Sequence, residues 1–166
     1  MSKNLLAEIF TLSAKLVEIS RSSGITLATA ESCTGGLIGA AITATSGSSA
    51  VFQGGIIAYD NAVKINQLSV NADSIKTHGS VSQKVAEEMA FGCRDALGVD
   101  LAISVTGIAG PSGGTDEKPV GTVWIGLATK DGVTSTLHNF PDKSRNKVRD
   151  YTCLAAIETL IDAIAR

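Results

Sequence analysis

Ser32, Cys33 and Thr34 stand in a row inside ESCTGG, residues 31–36, and each carries a group that can attack a carbonyl or bond an anion. Gly35 and Gly36 follow, and a small, aliphatic stretch, LIGAAITA, comes next. A strand-to-helix turn at this place presents amide hydrogens at the positive end of a helix, where negative charge is stabilised. Its two glycines let a ligand approach the backbone. The spacing is not the GxxxxGK[ST] of a phosphate loop or the GxGxxG of a dinucleotide fold, and GxSxG is absent. A thiol at a helix start can be acidified and reactive, although a lone cysteine more often serves as a small buried hydrophobe. On residue types alone the three nucleophiles stay level, and a plain capped turn stands beside them.

A serine nucleophile needs a proton acceptor, and the chain has no Ser-His-Asp pattern. Tyr59 and Lys64 lie five positions apart in AYDNAVK. A desolvated lysine with a lowered pKa can take the proton, directly or through a tyrosine, while a solvated surface lysine is the commoner fate. In TGIAGPSGG, residues 106–114, Thr106, Gly107, Ala109 and Gly110 can offer backbone donors to a phosphate or oxyanion. A surface loop is the bland alternative, but loops of this length inside compact domains are often functional. Arg145 and Arg149 are spaced to grip a phosphate together. With Lys143 and Lys147 they also make an ordinary basic face, yet cations oppose the dipole at a helix start, which favours binding. Asp116, Glu117 and Lys118 read as loop solvation, and Trp124 as sheet packing.

The elements that must position these groups alternate along the chain. Asn4 caps a first helix with apolar residues at helical spacing, ending near SRSSG. A strand is expected at 25–30, a buried helix after the ESCTGG turn, and a second strand at 54–60. Asp60 or Asn61 then caps a short helix over NAVKINQLS. Another helix runs from about Ser82 to a stop at Gly98, and DLAISVTG is a buried third strand. A hairpin turns at Lys130-Asp131-Gly132, and from about Asp142 a long amphipathic helix closes the chain. The expected architecture is one α/β/α layered domain over residues 1–166, with a mixed, partly parallel sheet and a C-terminal hairpin followed by a helix.

With 166 residues, 44% hydrophobic and 18% charged, the chain can bury a core without disulfides and is not disordered. A net charge of −2 lacks the basic footprint of a nucleic-acid binder. Cys33, Cys93 and Cys153 form no CxxC pair, and His78 and His138 are isolated, so neither a disulfide framework nor a metal site is expected. The N-terminus lacks a signal-peptide pattern and no run suits a membrane span, which predicts a soluble, cytoplasmic protein.

TLATAESCTGG, GGIIAYDNAVK, GSVS, VTGIAGPSGGTDEKPVGTVWIGLA and the SRNKVR helix together resemble the CinA C-terminal-domain family. The resemblance runs from about Gly24 to the last helix. It implies a nicotinamide-nucleotide amidase: a serine enzyme that converts nicotinamide mononucleotide to nicotinate mononucleotide and ammonia, with no metal or organic cofactor, in pyridine-nucleotide recycling. Ser32 matches the family's nucleophile, and Tyr59 and Lys64 match its proton-transfer residues. Cys33, Thr34, Gly35, Gly36, Thr106, Gly107, Ala109, Gly110 and Arg145 fall around the nucleotide. The chain resembles the stand-alone form, with no room for the N-terminal domain of many members, and a homo-oligomer, such as a dimer, is the family expectation. Asp60 stands where the family often has Ser. The rivals are a Cys33 nucleophile and a nucleotide-binding regulatory or interaction module without turnover.

Overall fold

The computed structural model describes residues 5–140 and 144–165. Five strands form one sheet in the order β2-β1-β3-β4-β5. These are β1 (Leu27–Glu31), β2 (Phe52–Ile57), β3 (Leu101–Gly107), β4 (Thr122–Thr129) and β5 (Gly132–Asn139). β1 is parallel to both β2 and β3, whereas β3–β4 and β4–β5 are antiparallel, so the sheet is mixed as expected.

Helices cover both faces. α1 (Leu5–Ser23), α2 (Leu37–Thr43) and α6 (Arg145–Ile164) contribute Ile9, Leu16, Ile38, Ile42, Ile157 and Leu160 to one core layer with the sheet. α3 (Asn61–Leu68) and α5 (Gln83–Leu97) build the other, where Leu68, Val85 and Met89 meet Ala28, Ala30 and Ala102. β1 is buried along its whole length, as a parallel strand covered on both faces must be.

The strand boundaries differ from expectation for local reasons. β1 starts at Leu27 because Ile25 N donates to Ser20 O, which closes the end of α1. β2 ends at Ile57 because the next residues turn toward α3: Ala58 N bonds Glu31 O, and the Asp60 carboxylate caps α3 at Ala62 N. An additional helix, α4 (Ala72–His78), was hidden in sequence by its brevity, although its Asn71 cap is a recognisable start signal. The Ser82 cap and the left-handed Gly98 stop of α5 match their expected places. The Asn4 cap and a helix start at Asp142 lie outside the described residues.

Candidate active site

The carboxyl ends of β1, β2 and β3 lie side by side, with Glu31 level with both Ile57 and Val105. Open α/β sheets bind ligands beyond such ends. Ser32 follows β1 directly and is fixed there by its amide, which donates to Val105 O at 3.0 Å. The chain then turns through a Gly35 N to Ser32 O bond, and Gly36 enters α2 with φ of 96°, a conformation that favours glycine.

The positive end of α2 is already neutralised. The buried Glu31 carboxylate accepts from Thr34 Oγ1 at 2.7 Å, Gly36 N and Ile38 N at 3.0 Å, and Gly39 N at 2.8 Å. The anion expected from outside is supplied by the chain itself. Thr34, Gly35 and Gly36, expected around the nucleotide, do not line the cavity beside Ser32. Their groups are spent on the turn: the Thr34 hydroxyl on Glu31, its carbonyl on Arg149 Nη2 at 2.9 Å, and both glycines on backbone geometry. Among the described residues, the Thr34 amide has no hydrogen-bond partner, and the Cys33 amide meets only its own thiol.

Lys64, on the first turns of α3, is only 2% exposed, against the usual behaviour of lysine. Its Nζ contacts three oxygens: Ala58 O at 2.8 Å, Ser32 Oγ at 3.2 Å and Tyr59 O at 3.4 Å. Among the described residues no carboxylate pairs with it. Burial pushes its pKa below the ordinary lysine value, opposed first by the negative charge of Asp60 and then by Cys33. Two carbonyls can hold the two N–H bonds of a neutral amine, leaving the lone pair for the serine hydroxyl. That is the arrangement a general base needs.

Tyr59 is placed differently from a proton relay. Its side chain is 61% exposed, and its hydroxyl accepts from Arg145 Nη2 at 2.9 Å; no bond joins that hydroxyl to Ser32 or Lys64. Arg145 also donates from Nη1 to Gly110 O at 2.7 Å, which ties α6 to the loop after β3. Arg149 is spent on Thr34 O, so the two arginines do not converge on one anion.

Ser32, Cys33, Tyr59, Lys64 and Arg145 face a cavity of ≈ 190 Å³, with Thr106, Gly107 and Ala109 across from them. It adjoins a wider recess of ≈ 410 Å³ that reaches Gly110 and Lys118. Asn61, Ser80 and Val81 also line the inner cavity and were not singled out by residue chemistry. GSVS, residues 79–82, was visible only as part of a familiar pattern. The structure explains its placement: Thr106 Oγ1 bonds Ser80 O at 2.7 Å, and Lys118 Nζ bonds His78 O and Val81 O. Lys118 is therefore a brace between loops rather than free solvation. Among the described residues no acidic side chain lines either space, whereas Arg145 and Lys118 bring positive charge.

Cys33 is a poor nucleophile here. It is 5% exposed, and burial, with Glu31 nearby, raises its thiol to about 12. Its own backbone amide, with Lys64 and Arg149, only partly offsets this. Among the described residues no group of three or more His, Cys, Asp or Glu side chains is placed to hold a metal. No helix among them is long and apolar enough to cross a membrane.

A layered α/β protein with a buried serine–lysine contact at the carboxyl ends of its parallel strands is thus defined. The chain belongs to the CinA family: the CinA C-terminal domain model matches residues 9–164. A CinA-like protein of Parasynechococcus marenigrum is 49% identical over 151 residues, 90% of this chain and 36% of that protein. Another from Citrifermentans bemidjiense is 51% identical over 146 residues, 88% of this chain and 35% of that one. The chain therefore spans about a third of the length of these curated relatives. The crystal structure of the competence/damage inducible protein CihA from Agrobacterium tumefaciens superposes with a TM-score of 0.93 at 38% identity, covering 96% of each chain.

Proposed function

We propose that this chain is a serine amidase that hydrolyses the carboxamide of nicotinamide mononucleotide to nicotinate mononucleotide and ammonia. The observation that carries the reading is the 3.2 Å contact between Ser32 Oγ and a buried Lys64 amine that has no carboxylate partner among the described residues. A lysine in this state takes a serine proton at neutral pH far more readily than a solvated one.

Ser32 Oγ attacks the carboxamide carbon as its proton passes to Lys64 Nζ. The Cys33 and Thr34 amides, which pair with no other backbone group and follow the nucleophile directly, stabilise the tetrahedral oxyanion, each such donor contributing about 3 kcal/mol. Lys64 returns the proton to the departing nitrogen, ammonia leaves, and an acyl-Ser32 remains. Water then attacks, Lys64 takes its proton, and collapse restores the Ser32 hydroxyl and releases the acid.

The positive lining supports an anionic substrate, with Arg145 facing the 5′-phosphate from the mouth of the cavity. Tyr59, held by Arg145, forms a wall at that end rather than part of the proton path. The inner cavity with its adjoining recess falls within reach of the ~300–1,000 Å³ usual for small-molecule sites. Purified protein given nicotinamide mononucleotide should release ammonia and the acid in equal amounts. Folded protein that binds the nucleotide without releasing ammonia would instead be a binding module.

A further inference from the structure

Lys64 has a second consequence, which rests on the amidase reading. A buried amine with three oxygen neighbours and, among the described residues, no salt-bridged carboxylate is half of an ion pair. We propose that the Ser32–Lys64 cavity is a proton-linked carboxylate site, binding the acid product as a pair with protonated Lys64 and the neutral carboxamide with unprotonated Lys64.

The proton balance of the last step leads there. Water adds to acyl-Ser32 and the ester bond breaks, giving Ser32 O–H and a carboxylic acid. The acid ionises well below neutral pH, and Lys64 Nζ, beside Ser32 Oγ, is the nearest base for its proton. The enzyme is therefore left holding a carboxylate against an ammonium that the fold buries. An opposite charge at that distance favours the protonated amine. Release of the acid must then be accompanied by loss of that proton.

The titratable and charged groups around Lys64 are otherwise engaged. Asp60, on the same helix, acts from an exposed cap, and Cys33 is held neutral by burial. Glu31, behind the turn, is bonded to the start of α2. Across the cavity Tyr59 and Arg145 are paired with each other. On α5, Cys93 in the layer shared with Leu68 is likewise raised to about 12 and stays neutral, while Glu88 is engaged by Asn71 N, Ser74 and Lys84.

Linkage makes the effect reciprocal: if the acid draws a proton onto Lys64, lowering the pH must tighten the acid. Between the pKa of free and acid-bound Lys64, affinity rises up to about tenfold per pH unit of acidification. Product inhibition is strongest on the acid side.

Ser32→Ala allows both ligands to be compared without turnover. Calorimetric titrations with nicotinate mononucleotide and with nicotinamide mononucleotide, each in two buffers of different ionisation enthalpy, report protons taken up. Both ligands carry the same phosphate, so its titration cancels. The acid should take up about one proton more than the amide. In wild-type enzyme the inhibition constant of the acid should fall with pH in parallel, which needs no variant. Equal uptake by the two ligands overturns the inference while leaving the amidase reading intact. Absence of binding by either ligand, in protein shown to be folded, overturns both.

Discussion

Lys64 Nζ contacts three oxygens and, among the described residues, no carboxylate, so its protonation is set by burial, opposed first by the exposed charge of Asp60 and then by Cys33. Asp60→Asn retains a capping oxygen for Ala62 N but removes that charge. Because the base must be neutral, the rise of kcat/KM with pH should move to lower pH in this variant; an unmoved profile would show that Lys64 does not set it. Tyr59, bonded to Arg145, should behave as a binding residue. Tyr59→Phe is expected to raise KM several-fold with kcat within about threefold, whereas a kcat loss of about 100-fold would restore it as a proton relay. The residue types of Ser32 and Lys64 were legible in sequence, but their meeting was not, since 32 positions separate them. Only β1–β2 pairing and the turn at Ala58 bring them within 3.2 Å. Glu31 was overlooked as the internal cap, because a carboxylate ending a strand gives no sign of where its oxygens go.

At the scale of elements, α3 must be held firmly for Lys64 to reach Ser32. Gly92 of α5 allows this: a Cβ there would collide with the backbone of Leu68, at the end of α3. Gly92→Ala should therefore cost about 1–3 kcal/mol by overpacking and lower kcat by displacing Lys64. Denaturant melts and turnover measure the two effects, and unchanged values in both would show that the α3–α5 contact does not position the base. The two long flanking helices, the buried β3 and the hairpin were readable from period, length and turn residues. β2 was misplaced at both ends, because its final expected residues are recruited to the lysine turn, an event dictated by Glu31 O and the Asp60 cap rather than by strand propensity.

For the whole molecule, Lys64 is a site where function opposes stability. Its pKa is lower folded than unfolded, so the unfolded chain binds more protons in the window between the two values and stability rises with pH there. Stability from this group is greatest above about 10.5, falls as pH drops toward the folded pKa, and is level below it. Lys64→Met removes the buried amine and should raise stability by ~1–2 kcal/mol near neutral pH, or roughly 2–8 °C in Tm, while lowering kcat at least ~100-fold. The advantage in Tm should shrink as the pH approaches 10; a variant less stable than wild type at pH 7 would contradict a lysine whose burial costs stability. Strand order was beyond sequence reading, because the crossover that carries β3 past β1 depends on which face each helix covers. On the proposed mechanism Ser32, and not its buried neighbour Cys33, forms the acyl-enzyme. Ammonia release from nicotinamide mononucleotide, measured for Ser32→Ala and Cys33→Ala against wild type, tests it most directly. Activity should fall at least ~1,000-fold in the first and less than about tenfold in the second; turnover retained by Ser32→Ala, or lost only in Cys33→Ala, would overturn the serine mechanism.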